Sequence, residues 1–352
     1  MRIFTKSFAV LLLFALMPAP TAAVAAEREQ LLGAGATFPL PFYHAVFDLY
    51  GRQHGVRVTY QGIGSGGGIQ QLIERKIDFG GTDAYMDTQE AQQAAAPVLH
   101  VPTCLGAVAL TYNLPGNPAL KLTPELIADI FLGTIRRWND PRLAGLNPES
   151  RLPDLGISVI HRSDSSGTTF IFTEYLSKIS SEWKRRVGTG KSLSWPASTG
   201  AAGNPGVAGQ VKQTPGAIGY VELIYALGND LTVASVRNRA GRYIAPTPES
   251  VTLAAAVPLP DDMHVSLTDT SAPDGYPISG FTYLILYREQ DYAGRSRNRA
   301  ETLAHLLSWV THEGQKHAAT LQYAPLAEAA VRKAEGIIRF VTYHGQPVLR
   351  DR

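Results

Sequence analysis

Val56-Arg57-Val58-Thr59-Tyr60-Gln61-Gly62-Ile63-Gly64-Ser65-Gly66-Gly67-Gly68-Ile69-Gln70-Gln71-Leu72-Ile73 passes through three kinds of local chemistry in eighteen residues. Residues 56–60 alternate and are β-branched, which predicts a strand. Residues 62–68 read as a glycine-rich loop. Residues 69–76 place Ile69, Leu72 and Ile73 at helical spacing, which predicts a helix. The same order recurs outward from this unit. Upstream, 41–50 predicts a helix with Phe42, Val46 and Leu49 on one face, ended by Gly51 and Gly55. Downstream, Ile77-Asp78-Phe79 begins a short strand. Further strands are expected at 106–112 and 157–161. Further helices are expected at 124–132, capped by Thr123 with Pro at its first turn, at 167–179, and near the end at 299–311 and 326–335. Strands alternating with helices predict an α/β fold whose parallel-type sheets carry helices on both faces. No fixed-period repeat and no long disordered linker interrupts the pattern.

The N-terminus reads as an export signal, residues 1–26. Arg2 and Lys6 precede an apolar run from Phe8 to Met17, and small residues from Thr21 to Ala26 follow. Cleavage is expected after Ala25 or Ala26. The apolar run is too short to span a bilayer and is followed by Pro18 and Pro20. No Cys stands at the cleavage point, so a soluble protein of a bacterial periplasm is expected. The sole cysteine, Cys104, lies in the apolar run 101–110 and reads as a buried thiol. The chain of 352 residues is long enough for two domains. Its formal charge of +2 falls to about zero without Arg2 and Lys6. There is no basic block, which argues against a nucleic-acid or membrane-surface partner.

Three junctions combine glycine with a hydroxyl residue at a strand-to-helix turn: Gly33-Ala34-Gly35-Ala36-Thr37-Phe38, Gly62-Ile63-Gly64-Ser65-Gly66-Gly67-Gly68, and Arg162-Ser163-Asp164-Ser165-Ser166-Gly167-Thr168. A helix start exposes unpaired N–H groups and the positive end of the dipole. Glycine lets a ligand approach the backbone, and Ser or Thr adds a donor, so such a turn is a ready anion site. Any one of the three is ordinary capping. Three in one chain, one beginning with Arg162, point to convergence on one anion. Other motifs are weaker. Gly62, Gly64 and Gly67 fit a dinucleotide fingerprint with Asp83 downstream, but the match stands alone. Gly190-Lys191-Ser192 lacks the earlier glycine of a phosphate-binding loop. Ser65 and Ser166 do not sit in a nucleophile elbow, and the histidines show no metal-binding spacing. No cofactor, metal or catalytic residue is therefore expected.

These residues resemble the substrate-binding protein of the bacterial phosphate-specific transport system, the PstS family. The matching runs are 33–39, 60–65, 78–83, 130–133, 138–140, 162–168, 183–184, 187–190 and 215–222, in order over nearly the whole mature chain. The resemblance implies a periplasmic-binding-protein fold of two lobes with two crossovers and ligand in the cleft between them. It puts lobe I at 27–109 plus 277–352 and lobe II at 110–276. It also implies a set of phosphate contacts. Thr37 and Ser65 would give N–H and hydroxyl donors, and Phe38 its N–H. Arg162 would be the charged donor, Ser166, Gly167 and Thr168 a nest at a helix start, and Asp83 an acceptor. Asp164 would orient Arg162. Ser165 departs from the family, which commonly has Gly there. The implied partners are inorganic phosphate and the transmembrane permease subunits of an ABC importer, with the receptor a monomer.

The residue types suit that ligand. A dianion stripped of water needs every oxygen hydrogen-bonded, and each bond to a charged acceptor contributes roughly 1.5–3 kcal/mol. A carboxylate only accepts, so Asp83 needs a proton on the ligand. Phosphate keeps one near neutral pH and sulfate keeps none, so Asp83 would accept from the first and repel the second. Asp83 as a helix cap, Asp164 as a turn residue and Arg162 in a surface ion pair are the plainer readings. Trp138, Trp183 and Trp195 are expected to pack. Two other functions stay open at this level: a family member serving sensing or adhesion, and a phosphoester hydrolase using Ser65 or Ser166.

Overall fold

The computed structural model describes residues 29–349. The expected signal segment, 1–26, lies outside the described residues. Nine strands form the main sheet: β1 (Gln30–Gly35), β2 (Arg57–Gly62), β3 (Phe79–Thr82), β4 (Val98–Tyr112), β5 (Ser158–Arg162), β6 (Thr199–Ala201), β7 (Ala217–Glu222), β8 (Thr232–Val233) and β9 (Ser279–Tyr287). Their order is β2-β1-β3-β9-β4-β7-β5-β6, with β8 beside β4. β2, β1 and β3 are mutually parallel, and so are β7, β5 and β6. A long antiparallel pair, β4 with β9, joins these two triplets. The 98–107 part of β4 pairs with β9, and the 108–112 part with β7, so one strand serves both halves. This is a two-lobe α/β fold.

The principal helices are α1 (Leu40–His54), α2 (Ser65–Ile73), α3 (Thr88–Gln93), α4 (Pro124–Phe131), α5 (Gly167–Ile179), α6 (Gly203–Gln213), α7 (Arg297–Thr311) and α8 (Glu328–Ile338). α5 matches its expected span, and Thr123 caps α4 by accepting from Leu126 N–H. α1 buries Phe42, Tyr43, Val46, Phe47 and Tyr50, each contributing about 1.5–3 kcal/mol by leaving water. Leu49, expected on that face, is only half-buried, because the stripe runs through Tyr43 and Phe47 instead. α1 also continues past Gly51 to His54. Gly51 lies inside the helix where the Val56 carbonyl comes within 2.6 Å of where a Cβ would be, and Gly55, at φ 70°, ends it.

Two further expectations are corrected. α2 starts at Ser65, not Ile69, so Gly66, Gly67 and Gly68 form its first turn. Gly68 is glycine because the turn packs there against the β1 backbone, where a Cβ would stand 2.5 Å from Gly35 Cα, and Gly66 because the Ser165 side chain lies 2.1 Å from where its Cβ would be. The strand expected at 106–112 begins at Val98. Pro102 conceals its first half, and the ladder absorbs it beside a register shift opposite Thr282 and Tyr283.

Cys104 is fully buried, as are Trp138 and Trp183, while Trp195 is half-buried and stacked on Tyr220 at 5.5 Å. The half of the fold built on β1, β2 and β3 also holds a buried charge cluster. Asp78 accepts from Leu32 N–H at 2.6 Å, from Arg299 Nε and Nη2 at 2.7 and 2.8 Å, and from Arg295. It ties β1 to the C-terminal segment.

Candidate functional site

In an open α/β sheet the crevice beyond the carboxyl ends of parallel strands is where ligands bind. Here two such sets of ends face each other. β1, β2 and β3 lead to Thr37, Ser65 and Asp83, and β5 and β6 lead to Arg162 and Asn204. The starts of α1, α2, α5 and α6 therefore meet between the lobes. Thr37, Ser65, Asp83, Arg162, Ser166, Thr168 and Asn204 are all buried there.

The contacts across the lobes are direct. Gly167 N–H donates to Ser65 Oγ at 3.0 Å, and Gly66 N–H to the Ser165 carbonyl at 3.0 Å. A Cβ on Gly167 would lie 2.5 Å from Ser65 Oγ and 2.6 Å from Asp83 Oδ2, so only glycine fits. Thr37 Oγ1 accepts from Asn204 N–H at 3.1 Å and from Asn204 Nδ2 at 3.0 Å. Tyr225 donates its hydroxyl to the Thr37 carbonyl at 2.6 Å, and Tyr323 donates to the Phe38 carbonyl at 2.6 Å. Phe38 buries its ring and presents its N–H before the first intrahelical bonds of α1.

Arg162 is held on three sides. Nε and Nη2 donate to the two Asp164 carboxylate oxygens at 2.8 and 2.5 Å, Nη1 donates to Thr168 Oγ1 at 3.3 Å, and its N–H donates to the Tyr220 hydroxyl at 3.1 Å. Burial pushes the Asp164 carboxyl up. The Arg162 hydrogen bonds and charge, with the Gly203 N–H at 2.9 Å, outweigh it and hold Asp164 below its ordinary range. Asp164 is therefore more than a turn residue, and Arg162 is not a surface ion pair.

Asp83 caps no helix. Asp87 caps α3, in a capping box with Glu90. Asp83 Oδ1 instead accepts from Thr282 Oγ1 at 2.7 Å, while burial pushes its carboxyl up to about 7 against the lowering effect of Thr282, Arg162 and Ser65. A carboxyl ionising near neutrality beside hydroxyl and N–H donors can share a proton with a ligand. Ser166 differs from its expected part. Its N–H donates to the Lys191 carbonyl at 2.9 Å and its Oγ accepts from Thr169 N–H at 3.0 Å, so of its donors only the hydroxyl hydrogen remains to face inward. Gly167 N–H is engaged as well, on Ser65 Oγ at 3.0 Å. Ser165, the departure from the family, packs its side chain against Gly66 at the lobe contact.

Asn204 was not among the sequence-derived candidates. Its signal was present: Gly203-Asn204-Pro205 follows a Gly-Ala stretch and starts a helix. It lacks the Ser or Thr that marked the other junctions. Glu222 was likewise passed over. Its Oε2 accepts from Ile224 N–H at 2.8 Å, and burial holds its carboxyl well above the usual range.

Two parallel β-α units facing each other across a jointly built crevice lined by N–H, hydroxyl and guanidinium donors define a two-lobe binding protein. A model of the PBP superfamily domain matches residues 20–313. The chain belongs to the PstS family of phosphate-binding proteins within it. It is 42% identical over 306 residues to the phosphate-binding protein PstS of Haemophilus influenzae, covering 86% of this chain and 90% of the relative. It is 40% identical over 320 residues to that of Pasteurella multocida, covering 90% and 91%. A solved high-affinity periplasmic phosphate-binding protein bound with phosphate shares the fold. The TM-score is 0.71 at 23% identity, over 87% of this chain and 93% of that one.

Proposed function

We propose that this chain is a periplasmic receptor that closes its two lobes over inorganic phosphate and delivers it to the permease subunits of an ABC importer. Lobe I is 27–109 plus 277–352 and lobe II is 110–276. The chain crosses between them within β4 and again just before β9, and those two crossings form the hinge. Residues 1–26 direct export, and the mature receptor acts as a monomer. No helix among the described residues is long and apolar enough to cross a membrane.

The observation that carries this reading is the meeting of four helix starts with Arg162 and a buried acid, Asp83, in one interlobe crevice. Thr37, Phe38, Ser65, Gly167 and Thr168 donate to phosphate oxygens, Ser166 adds its hydroxyl, and Arg162 adds charge. Asp164 keeps the guanidinium plane fixed. Asp83 accepts the proton that phosphate retains, which disfavours sulfate. Titration calorimetry of the mature protein with inorganic phosphate, with sulfate as competitor, tests it. Binding at micromolar concentration or below, undisturbed by excess sulfate, is expected. A protein that binds no phosphate at that level, or binds sulfate equally, overturns it.

A further inference from the structure

A hydroxyl has one hydrogen to give and two lone pairs with which to accept. Which it does in a site depends on its neighbours. At Thr37, two donors from Asn204 fill both lone pairs: the backbone N–H at 3.1 Å and Nδ2 at 3.0 Å. At Thr168, Arg162 Nη1 at 3.3 Å and the same Asn204 Nδ2 at 3.2 Å do so. At Ser65, the backbone N–H groups of Asp83 at 3.3 Å and Gly167 at 3.0 Å fill them. Thr37 and Thr168 each keep only the hydroxyl hydrogen for a ligand, whereas the Ser65 hydroxyl also bonds the Asp83 carboxyl.

For Ser65 the donors are backbone. For Thr37 and Thr168 they include one side-chain amide, whose orientation is fixed. Asn204 Oδ1 accepts from Glu222 N–H at 2.9 Å. A backbone N–H can only donate, so Oδ1 must face it and Nδ2 must face the two threonines. Asn204 and Glu222 are fully buried, so water does not compete for these bonds. One amide thus reaches a threonine of each lobe with its two hydrogens.

We infer that Asn204 is a positioning residue that sets the hydroxyls of Thr37 and Thr168 as obligate donors, matching the site to an acceptor-rich, negatively charged ligand. This rests on the phosphate-receptor reading above. Without Asn204 the two hydroxyls are free to donate to each other or to the backbone, and they must be reoriented before an anion is bound.

The test is a coupling measurement by titration calorimetry with inorganic phosphate. The four proteins are wild type, Asn204→Ala, a Thr37→Val/Thr168→Val pair, and all three substitutions together. Asn204→Ala is expected to weaken binding roughly 10- to 100-fold in wild type, the range of a lost hydrogen bond to a charged acceptor, and by less than about 3-fold where both threonines are Val. Equal factors in the two backgrounds, or no loss in wild type, overturn the inference. If Asn204→Ala does not fold, Asn204→Asp keeps Oδ1 for Glu222 N–H. Its charge repels phosphate in both backgrounds, so a greater loss in wild type than in the valine background supports the role of Asn204, and equal losses overturn it. A wild-type protein that binds no phosphate fails the functional reading itself. A wild type that binds, with uncoupled substitutions, fails only the role of Asn204.

Discussion

Asp83→Asn should uncouple lobe closure from pH in the ligand-free protein. With the lobes together, burial pushes the Asp83 carboxyl from its ordinary value of 3.8 up to about 7. Parting the lobes removes Gly167 and Arg162 from it, readmits water and returns it toward the ordinary value. Between those two pH values the closed form holds a proton that the open form releases. The stabilisation of the closed form is therefore complete below the ordinary value and is lost as pH rises through about 7. At ~1.4 kcal/mol per pH unit, the closed form loses of order 4 kcal/mol relative to the open one across the window, up to tenfold in their ratio per pH unit. Small-angle scattering of the phosphate-free protein from pH 4.5 to 8 should show the radius of gyration rising with pH, with circular dichroism confirming that the chain stays folded. Asn cannot ionise, so the variant should hold a constant and smaller radius at pH 8. A wild-type radius that does not change, or the same rise in the variant, refutes this role for Asp83.

Three further outcomes are expected. Gly64→Ala puts a Cβ 2.5 Å from Asp164 Oδ2 and 2.8 Å from the Ser165 carbonyl, at a residue with φ 85°, so it obstructs the lobe contact. Phosphate affinity should fall at least ~10-fold by calorimetry, at a strain of roughly 1–2 kcal/mol. Lys191 pairs with Glu90 across the lobes, at 10% and 19% side-chain exposure, while its carbonyl holds Ser166 N–H. Lys191→Met should speed phosphate release by roughly 3- to 10-fold in stopped flow, with no added effect in a Glu90→Gln background. Asp78→Asn leaves Arg295 and Arg299 without their shared carboxylate and should lower stability by about 3–5 kcal/mol in urea unfolding. An unchanged urea midpoint would show that the cluster contributes nothing.

The local chemistry of the junctions was legible in the chain itself. Gly35, Gly64 and Gly167 are glycine because other groups approach there, the Gly81 backbone at Gly35, Asp164 and the Ser165 carbonyl at Gly64, and the Ser65 and Asp83 side chains at Gly167, and a Ser or Thr follows each, so position along the chain was enough to single out Thr37, Ser65 and Thr168. Strand and helix alternation gave the α/β class for the same reason: side-chain periodicity is a local property. Boundaries were less legible where packing overrode propensity. Glycines at 66–68 read as a loop, yet they are helical, because the turn packs closely, Gly68 against the β1 backbone and Gly66 against Ser165. The strand expected from 106 begins at Val98, and a register shift in the β4–β9 ladder accommodates Pro102 within it.

What the sequence by itself determined is which residue types suited to an anion stand at the junctions: the hydroxyls, the helix starts, Arg162 and the acceptor Asp83. Only the tertiary structure decided how they act together. It sets the 3.0 Å approach of Gly167 to Ser65, the burial that moves Asp83 to about 7, and the one amide, Asn204, that touches a threonine of each lobe. The reason is physical. Donor capacity belongs to a residue type, but the direction of a hydroxyl hydrogen and the cost of a charge depend on neighbours as far as 167 and 199 positions away in the chain.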